Sequence, residues 1–188
     1  LRVQSREFRE TGQSLVFVFV FALLVVFLVL AAQFESFRDP LIIMLTVPLA
    51  LLGGLLGLRL FGQSLNLFSQ IGLIMLIGLV TKDGILLVEF INHRRPAGLP
   101  MREAVLEGSA ARFRPILMTS LSTILGILPI AIGLGAGSES RLPLGIAVIG
   151  GLLLSTPLTL YIVPAAYTYL ASRRVEPATA ANAGTSPS

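Results

Sequence analysis

The sequence predicts an all-α membrane protein with five transmembrane helices. Hydrophobic residues make up 54% of the 188 residues, charged residues only 13%, and the mean hydropathy is +0.86. Soluble domains carry roughly 25% charged residues, so this composition is typical of a membrane protein. Five long uncharged runs supply the spans, because about 20 apolar residues are enough for a helix to cross the hydrocarbon core.

The charged residues mark where these spans begin and end. After a periplasmic segment over residues 1–13, we predict spans near residues 14–33, 40–58, 66–91, 115–136 and 142–170. The first run is rich in Val and Phe, but its length favours a helix over a strand. The third continues past its own charges, since residues 85–88 are apolar again. Gly150, Gly151 and Pro157 predict that the last span is tilted or kinked.

Two polar segments complete the predicted organisation. Residues 92–114 predict a cytoplasmic loop with a short amphipathic helix, in which small apolar residues alternate with charged ones. These residues are Ala104, Val105, Ala110 and Ala111 with Arg102, Glu103 and Glu107. Pro115 then begins the fourth span, at a position where a missing N–H is tolerated. The small polar residues of 171–188 predict a disordered cytoplasmic tail.

The distribution of arginines predicts the orientation of the chain in the membrane. One side receives Arg38, Arg94, Arg95, Arg102, Arg112, Arg173 and Arg174. The other side receives only Arg59 and Arg141 besides the amino-terminal arginines, which we assign to a translocated domain that the positive-inside rule exempts. The 92–114 loop and the carboxyl tail are therefore predicted to be cytoplasmic.

Composition also excludes several classes of protein. The chain has no cysteine, which excludes disulfides and thiolate chemistry, and His93 stands alone in a basic loop. No nucleophile–base pair or metal-ligand cluster indicates an enzyme or a metal site. The arginines lie at the ends of apolar runs, so the net charge of +4 does not indicate nucleic-acid binding. The chain begins at Leu1 without the pattern of a signal peptide, which we interpret as a fragment of a longer polypeptide.

Lys82 is the main candidate for a functional residue. It is the only lysine of the chain and lies inside the third run, where a charged side chain costs roughly 2.5–3.5 kcal/mol. Glu89 follows at i+7 on nearly the same helix face, whereas Asp83 is rotated by about 100°. One interpretation is a structural ion pair between two helices. The other is a proton or ion relay, in which titration changes the packing.

A second polar track runs along the fourth span. Thr119, Ser122 and Thr123 follow one another at helical spacing, and Arg112 lies seven residues before Thr119, close to the same face. Hydroxyls in such positions either bond back to carbonyls of their own helix or line a polar path together with Lys82.

Small residues in three spans predict close packing of helices. Their spacing lets backbones approach one another, and packing alone explains most of the pattern. The residues are Gly53, Gly54 and Gly57, then Gly72, Gly78 and Gly84, and finally Gly145, Gly150, Gly151 and Ser155.

Four long stretches occur in the order of a known family. They are "AAQFESFRDPLIIMLTVPLALLGGLLGL", "SLNLFSQIGLIMLIGLVTKDGILLVEF", "RFRPILMTSLSTILGILPIAIGLGAGSES" and "PLGIAVIGGLLLSTPLTLYIVPAAY". Over about residues 14–170 the chain resembles the carboxyl-terminal membrane half of the resistance–nodulation–division exporters, in their acriflavine-resistance drug-pump branch. The resemblance implies that the five spans correspond to helices 8–12 of a twelve-helix transporter.

The resemblance also implies a pump that is driven by protons and needs no cofactor. In the family, two aspartates on the fourth helix take up the proton, and a lysine on the tenth helix pairs with them until they are protonated. Lys82 matches this lysine, Thr119 matches the relay threonine of the eleventh helix, and Arg112 matches the arginine at the cytoplasmic entrance. These three residues are the predicted proton relay, with Asp83 and Glu89 as candidate relay partners.

The implied setting is the bacterial inner membrane. The family implies a multi-pass homotrimer in lipid that exports amphiphilic small molecules together with a periplasmic adaptor and an outer-membrane channel. The two aspartates and the large periplasmic domains have no counterpart in these 188 residues, so we expect no transport by this segment alone.

Two departures from the family and two alternatives stay open. Asp83 stands where members usually have Asn, and Pro157 stands where an aliphatic residue is more usual. A metal-ion exporter of the same superfamily predicts extra ligands in the spans, but three methionines are scattered without ligand spacing, namely Met44, Met75 and Met118. A non-transporting, truncated membrane module predicts that Lys82 affects stability alone.

Overall fold

Five α-helices make up the protein over residues 2–94 and 100–171, which a computed structural model describes. They are α1 (Arg2–Phe34), α2 (Arg38–Leu60), α3 (Leu67–Arg94), α4 (Met101–Ile132) and α5 (Ser138–Ala171). All five contain stretches that are long and apolar enough to cross a membrane, and the described residues contain no strand. The predicted fold class is confirmed. The predicted disordered tail begins at residue 171, which is the last residue of α5, and residues 172–188 lie outside the described part.

Helix α5 occupies the centre of the bundle, where it packs against α2, α3 and α4. Half or slightly more of the apolar window of α2, α3 and α5 is buried inside the bundle, against 6% for α1 and 11% for α4. Helix α1 packs chiefly on α2, where Leu30 is buried. The apolar side chains of α1 and α4 therefore point mostly outward, and polar groups near the bundle centre lie among α3, α4 and α5.

Glycines let α2 and α5 approach each other backbone to backbone. A methyl group added at Gly150 would lie 3.0 Å from the Cα of Gly57 and 3.1 Å from the carbonyl oxygen of Gly53. The next residue, Gly151, leaves room for the buried side chain of Leu76 on α3. The close packing predicted from small-residue spacing is confirmed at these glycines. The glycine at position 78 has no such neighbour within 4 Å.

Helix α4 corrects the prediction for the fourth span. We expected Pro115 to begin this helix after a separate interfacial helix, but one helix runs over Met101–Ile132 with Pro115 inside it. A proline removes one backbone donor, yet tertiary contacts can keep the helix continuous. Those contacts are made with α3, because Val105 is buried and Gly108 lies against Ile91. The membrane limits of the 92–114 segment stay a prediction.

Two other helices begin earlier than the predicted spans. Helix α1 is helical from Arg2, and α5 begins at Ser138. Helix α5 also continues through Pro143, Pro157 and Pro164 without ending. The predicted kink at Pro157 stays a prediction.

A reciprocal cap sets the start of α3, the helix that carries Lys82. The backbone N–H of Asn66 donates to Oγ of Ser69 (2.8 Å), and the Ser69 N–H donates to Oδ1 of Asn66 (2.9 Å). Such exchanges satisfy backbone donors that the first helical turn leaves free. The cap therefore places the beginning of α3 independently of the polar residues farther along it.

Replacing Gly150 by Ala is expected to destabilise the bundle, because the added methyl group meets backbone atoms of α2 that cannot rotate away. The free energy of unfolding should fall by about 1–3 kcal/mol, the usual effect of overpacking. A lower Tm of the purified protein in detergent would report this change. The matched control is Gly126→Ala on α4, where the added methyl has no neighbour within 4 Å and alanine favours the helix. Equal Tm values for both variants would contradict the packing argument.

Candidate functional site

Lys82 and Asp83 lie near the middle of α3 and face different surroundings. Lys82 is 15 residues after Leu67 and 12 before Arg94, or roughly 22 Å and 18 Å from the helix ends at 1.5 Å per residue. The Lys82 side chain is exposed at the surface of the bundle, whereas Asp83 is only 6% exposed. Successive helical residues are turned by about 100°. Lys82 therefore faces outward, whereas Asp83 faces α4 and α5.

A small cavity joins these residues to hydroxyl groups of α4. It has a volume of about 10 Å³ and is lined by Leu79, Lys82, Asp83, Thr119, Ser120, Thr123 and Leu152. That space is near the minimum for one water molecule. The structure thus brings together Lys82, Asp83 and Thr119 of the predicted residues. Ser122, which we grouped with Thr119 and Thr123, is exposed and does not line the cavity.

The threonine hydroxyls of α4 use their protons within their own helix. Oγ1 of Thr119 donates to the carbonyl of Ile116 (3.0 Å), and Oγ1 of Thr123 donates to the carbonyl of Thr119 (2.8 Å). This is the back-bonding alternative from the sequence. Each hydroxyl oxygen still has acceptor capacity, so the threonines can also accept hydrogen bonds from groups in the cavity.

A buried hydrogen-bonded chain continues from Asp83 into α5. Ser120 lines the same small cavity as Asp83, where its hydroxyl can donate to the carboxylate. Oγ1 of Thr156 in turn donates to Oγ of Ser120 at 3.1 Å, and both hydroxyl residues are buried. Sequence analysis missed Ser120 and Thr156. Only their positions as hydroxyl residues inside apolar spans, next to Thr119 and Ser155, could have suggested a role, since nothing in the sequence shows that they face each other.

The other two predicted residues lie outside the cavity. Arg112 is half-buried near the start of the apolar part of α4, with its guanidinium 4.8 Å from the ring centre of Phe90. Its Nε atom is buried and has no hydrogen-bond partner among the described residues. Glu89 is exposed on α3 and is not brought to Lys82. Within the described ranges, the one ion pair shorter than 4 Å joins Arg94 and Glu107 at 3.6 Å.

A second polar cluster ties three helix ends together. Nδ2 of Asn92 donates to the Asp39 carboxylate at 2.7 Å, and the Tyr167 hydroxyl donates to Oδ1 of Asn92. Asp39 lies in the first turn of α2, Asn92 in the last turn of α3, and Tyr167 near the end of α5. One amide therefore connects the ends of the three inner helices. Sequence analysis singled out none of these three residues.

Comparison with known proteins gives the same family for almost the whole chain. Residues 2–171 match the family described as AcrB/AcrD/AcrF. An uncharacterised transporter of Haemophilus influenzae is 41% identical over 180 residues, which cover 90% of this chain and 17% of the relative. The multidrug resistance protein MdtC of Erwinia amylovora is 42% identical over 171 residues, again 90% of this chain and 17% of the relative.

A solved structure resembles the fold as well. The chain superimposes on a heavy metal efflux pump with a TM-score of 0.78 and 37% sequence identity, over 89% of this chain and 17% of the pump. The chain therefore spans about 17% of the length of these relatives.

Replacing Asn92 by Ala is expected to loosen the three helix ends, because Asp39 and Tyr167 each lose a hydrogen-bond partner. Each lost hydrogen bond contributes about 0.5–1.5 kcal/mol, so the free energy of unfolding should fall by about 1–3 kcal/mol. The measurement is the Tm in detergent, compared with that of His93→Ala, which removes the exposed neighbouring side chain. A Tm for Asn92→Ala as high as that of the control would mean that the cluster does not stabilise the fold.

Proposed function

This chain belongs to the AcrB/AcrD/AcrF family of resistance–nodulation–division efflux transporters, and we propose that it carries the lysine side of the proton relay in a pump for amphiphilic compounds. The members of this family are transporters. The five apolar helices identify the chain as a multi-pass membrane protein. The proposal assigns the relay to Lys82 and Thr119, with Arg112 at the cytoplasmic entrance.

The observation that supports this proposal most strongly is the position of Lys82. Its ammonium group lies near the centre of a membrane-spanning helix, where an unpaired charge costs roughly 2.5–3.5 kcal/mol. No carboxylate lies within 4 Å of it in the described part of the chain, and its face of the bundle is uncovered. A carboxylate partner on another helix would remove this cost. That is the arrangement which the family resemblance implies.

Proton binding would change the partner of Lys82. Once a proton neutralises the partner carboxylate, the ammonium group loses its counter-charge and turns toward the acceptor oxygens of the cavity, including that of Thr119. Helices α3 and α4 would then shift relative to each other. The membrane potential contributes about 2.3 kcal/mol per charge per 100 mV, which is enough to bias such a shift.

Arg112 fits the cytoplasmic end of this path. Its buried Nε–H has no acceptor among the described residues and can donate to another group. Its guanidinium lies over the ring of Phe90. A fixed positive charge at this end would favour release of the proton into the cytoplasm. Glu89 is exposed away from the cavity, so we leave it out of the relay.

Localisation and partners follow from the family as part of the proposal. The proposal that the substrates are amphiphilic is supported by relatives that bear the name multidrug resistance protein. We propose the bacterial inner membrane, a homotrimer, a periplasmic adaptor and an outer-membrane channel. Protons supply the energy, and no resident cofactor takes part.

Export of metal ions is the second candidate, favoured by the likeness to a heavy metal efflux pump. The described residues contain no group of three His, Cys, Asp or Glu side chains that could hold a metal ion. Two of the methionines considered as ligands, Met75 and Met118, are exposed at the bundle surface. The amphiphile proposal therefore has more support from these helices.

Lys82→Ala in the full-length gene product is expected to reduce proton-coupled efflux of a fluorescent amphiphile to the level of cells without the pump. The reason is that the relay loses the charge that responds to proton binding. Efflux is measured at matched expression, with Arg59→Ala as the control because this exposed arginine lies at the far end of α2. Undiminished efflux in Lys82→Ala would refute the relay. Survival on copper, silver and zinc salts, scored in the same strains, separates the metal exporter from the amphiphile exporter.

Thr119→Val tests the hydroxyl of the relay at nearly constant volume. We expect slower efflux, because the cavity loses an acceptor oxygen while the helix keeps its shape. Ser122→Ala is the matched control, since it removes an exposed hydroxyl three residues farther along α4. If both variants transport equally well at equal expression, Thr119 has only its back-bonding role.

A further inference from the structure

We propose that Asp83 is a second proton-binding group of this transporter, and that Ser120 and Thr156 connect its protonation to α5. The inference rests on the proposed function, because it adds a carboxyl group to the same cavity. The inference differs from the proposed function in the site of protonation. The proton would bind to Asp83 on the inner side of α3, whereas Lys82 lies on the outer face.

Burial and access together make Asp83 suited to this role. Its side chain is 6% exposed in the middle of a membrane-spanning helix, where an ionised carboxylate is costly. A carboxyl group sealed in an apolar core would simply stay neutral. Asp83 instead lines a cavity whose other wall includes the exposed Lys82, so a proton has a path to and from it.

The surroundings of Asp83 stabilise its ionised form as well as its neutral form. Lys82 supplies a positive charge from the adjacent position, and the Ser120 hydroxyl in the wall of the same cavity can donate a hydrogen bond. Both favour the ionised form, whereas burial favours the neutral form. Each protonation state therefore gains some stabilisation from its surroundings. A proton can therefore bind to one carboxylate oxygen and leave again by the cavity, with no other bond made or broken.

The charged groups near Asp83 are few, which makes its response to pH interpretable. Helix α4 contributes only the hydroxyls of Thr119, Ser120 and Thr123 to the cavity, and α5 contributes Leu152 there and Thr156 behind Ser120. Helix α2, which also packs on α3, has no charged residue between Asp39 and Arg59. Lys82 is thus the one charged side chain in the described surroundings of the cavity.

The direction of the hydrogen bonds would depend on the protonation of Asp83. An ionised carboxylate only accepts, so the Ser120 hydroxyl can donate to Asp83 while it accepts a hydrogen bond from Thr156. A protonated carboxyl group is itself a donor, and the Ser120 oxygen has acceptor capacity for it as well as for Thr156. The Ser120 O–H would then turn away from the carboxyl group, which changes the hydrogen bonding between α4 and α5.

Helix α5 is able to respond at this point. Pro157 follows Thr156 directly and removes one backbone hydrogen bond from the helix. The chain of hydroxyls therefore ends beside one of the positions of α5 that lack a backbone hydrogen bond. Protonation of Asp83 would alter the angle of α5, which packs against α2, α3 and α4.

The test is pH-dependent infrared difference spectroscopy on the full-length protein in liposomes. The wild type is expected to show a protonated-carboxyl band that disappears as the pH rises and is missing in Asp83→Asn. Ser120→Ala should move the midpoint of this change by about one pH unit to higher pH, because the ionised form loses a donor. Ser122→Ala, which removes an exposed hydroxyl of the same helix, should leave the midpoint in place.

Identical difference spectra for the wild type and Asp83→Asn would overturn the proposal. If Asp83→Asn does not accumulate, Asp83→Glu replaces it, and a band with an unchanged midpoint would then count against the proposal. Efflux measured across pH separates the two claims. Active Lys82→Ala refutes the proposed function, whereas inactive Lys82→Ala with an unchanged pH profile in Asp83→Asn refutes only the role of Asp83.

Discussion

The close approach of α2 and α5 is the constraint on which the rest of the bundle depends. At Gly57 and Gly150 the two backbones meet with no space for a methyl group. Helix α5 can then pack against α3 and α4 at the same time. Thr156 lies six residues after Gly150, so the seam also determines where the hydroxyl chain of the site reaches α5. Packing of small residues drives such association in lipid, where the hydrophobic effect between helices is weak.

The polar groups of α3 divide into a satisfied set and an unsatisfied one. Asp83 points inward, is buried, and shares its cavity with hydroxyl groups of α4. Lys82 points outward and has no carboxylate within 4 Å in the described chain. A single turn of α3 therefore carries both Asp83, which has polar neighbours inside the bundle, and Lys82, which has no ion-pair partner in the described chain. An unpaired charge at this depth is tolerable only if another helix covers it or if water reaches it.

Both the ends and the middle of the bundle contain polar contacts, but the contacts differ in kind. At one end Asn92 connects Asp39 and Tyr167, which ties three helices through one amide. In the middle, a single hydroxyl contact of 3.1 Å joins α4 to α5. Hydroxyl groups can reverse donor and acceptor roles, whereas an amide has fixed ones. This difference suits an end that stays in place and a middle that rearranges.

The sequence by itself determined the five apolar helices, because apolar runs of about 20 residues can satisfy their backbone polar groups in lipid only as helices. It also singled out Lys82, since a lone lysine in an apolar run is costly wherever the helix lies. Only the tertiary structure decided that α4 continues through Pro115, that Ser122 faces outward, and that Ser120 meets Thr156. The physical reason is that length and charge act along one helix, whereas these outcomes depend on which face a neighbouring helix covers.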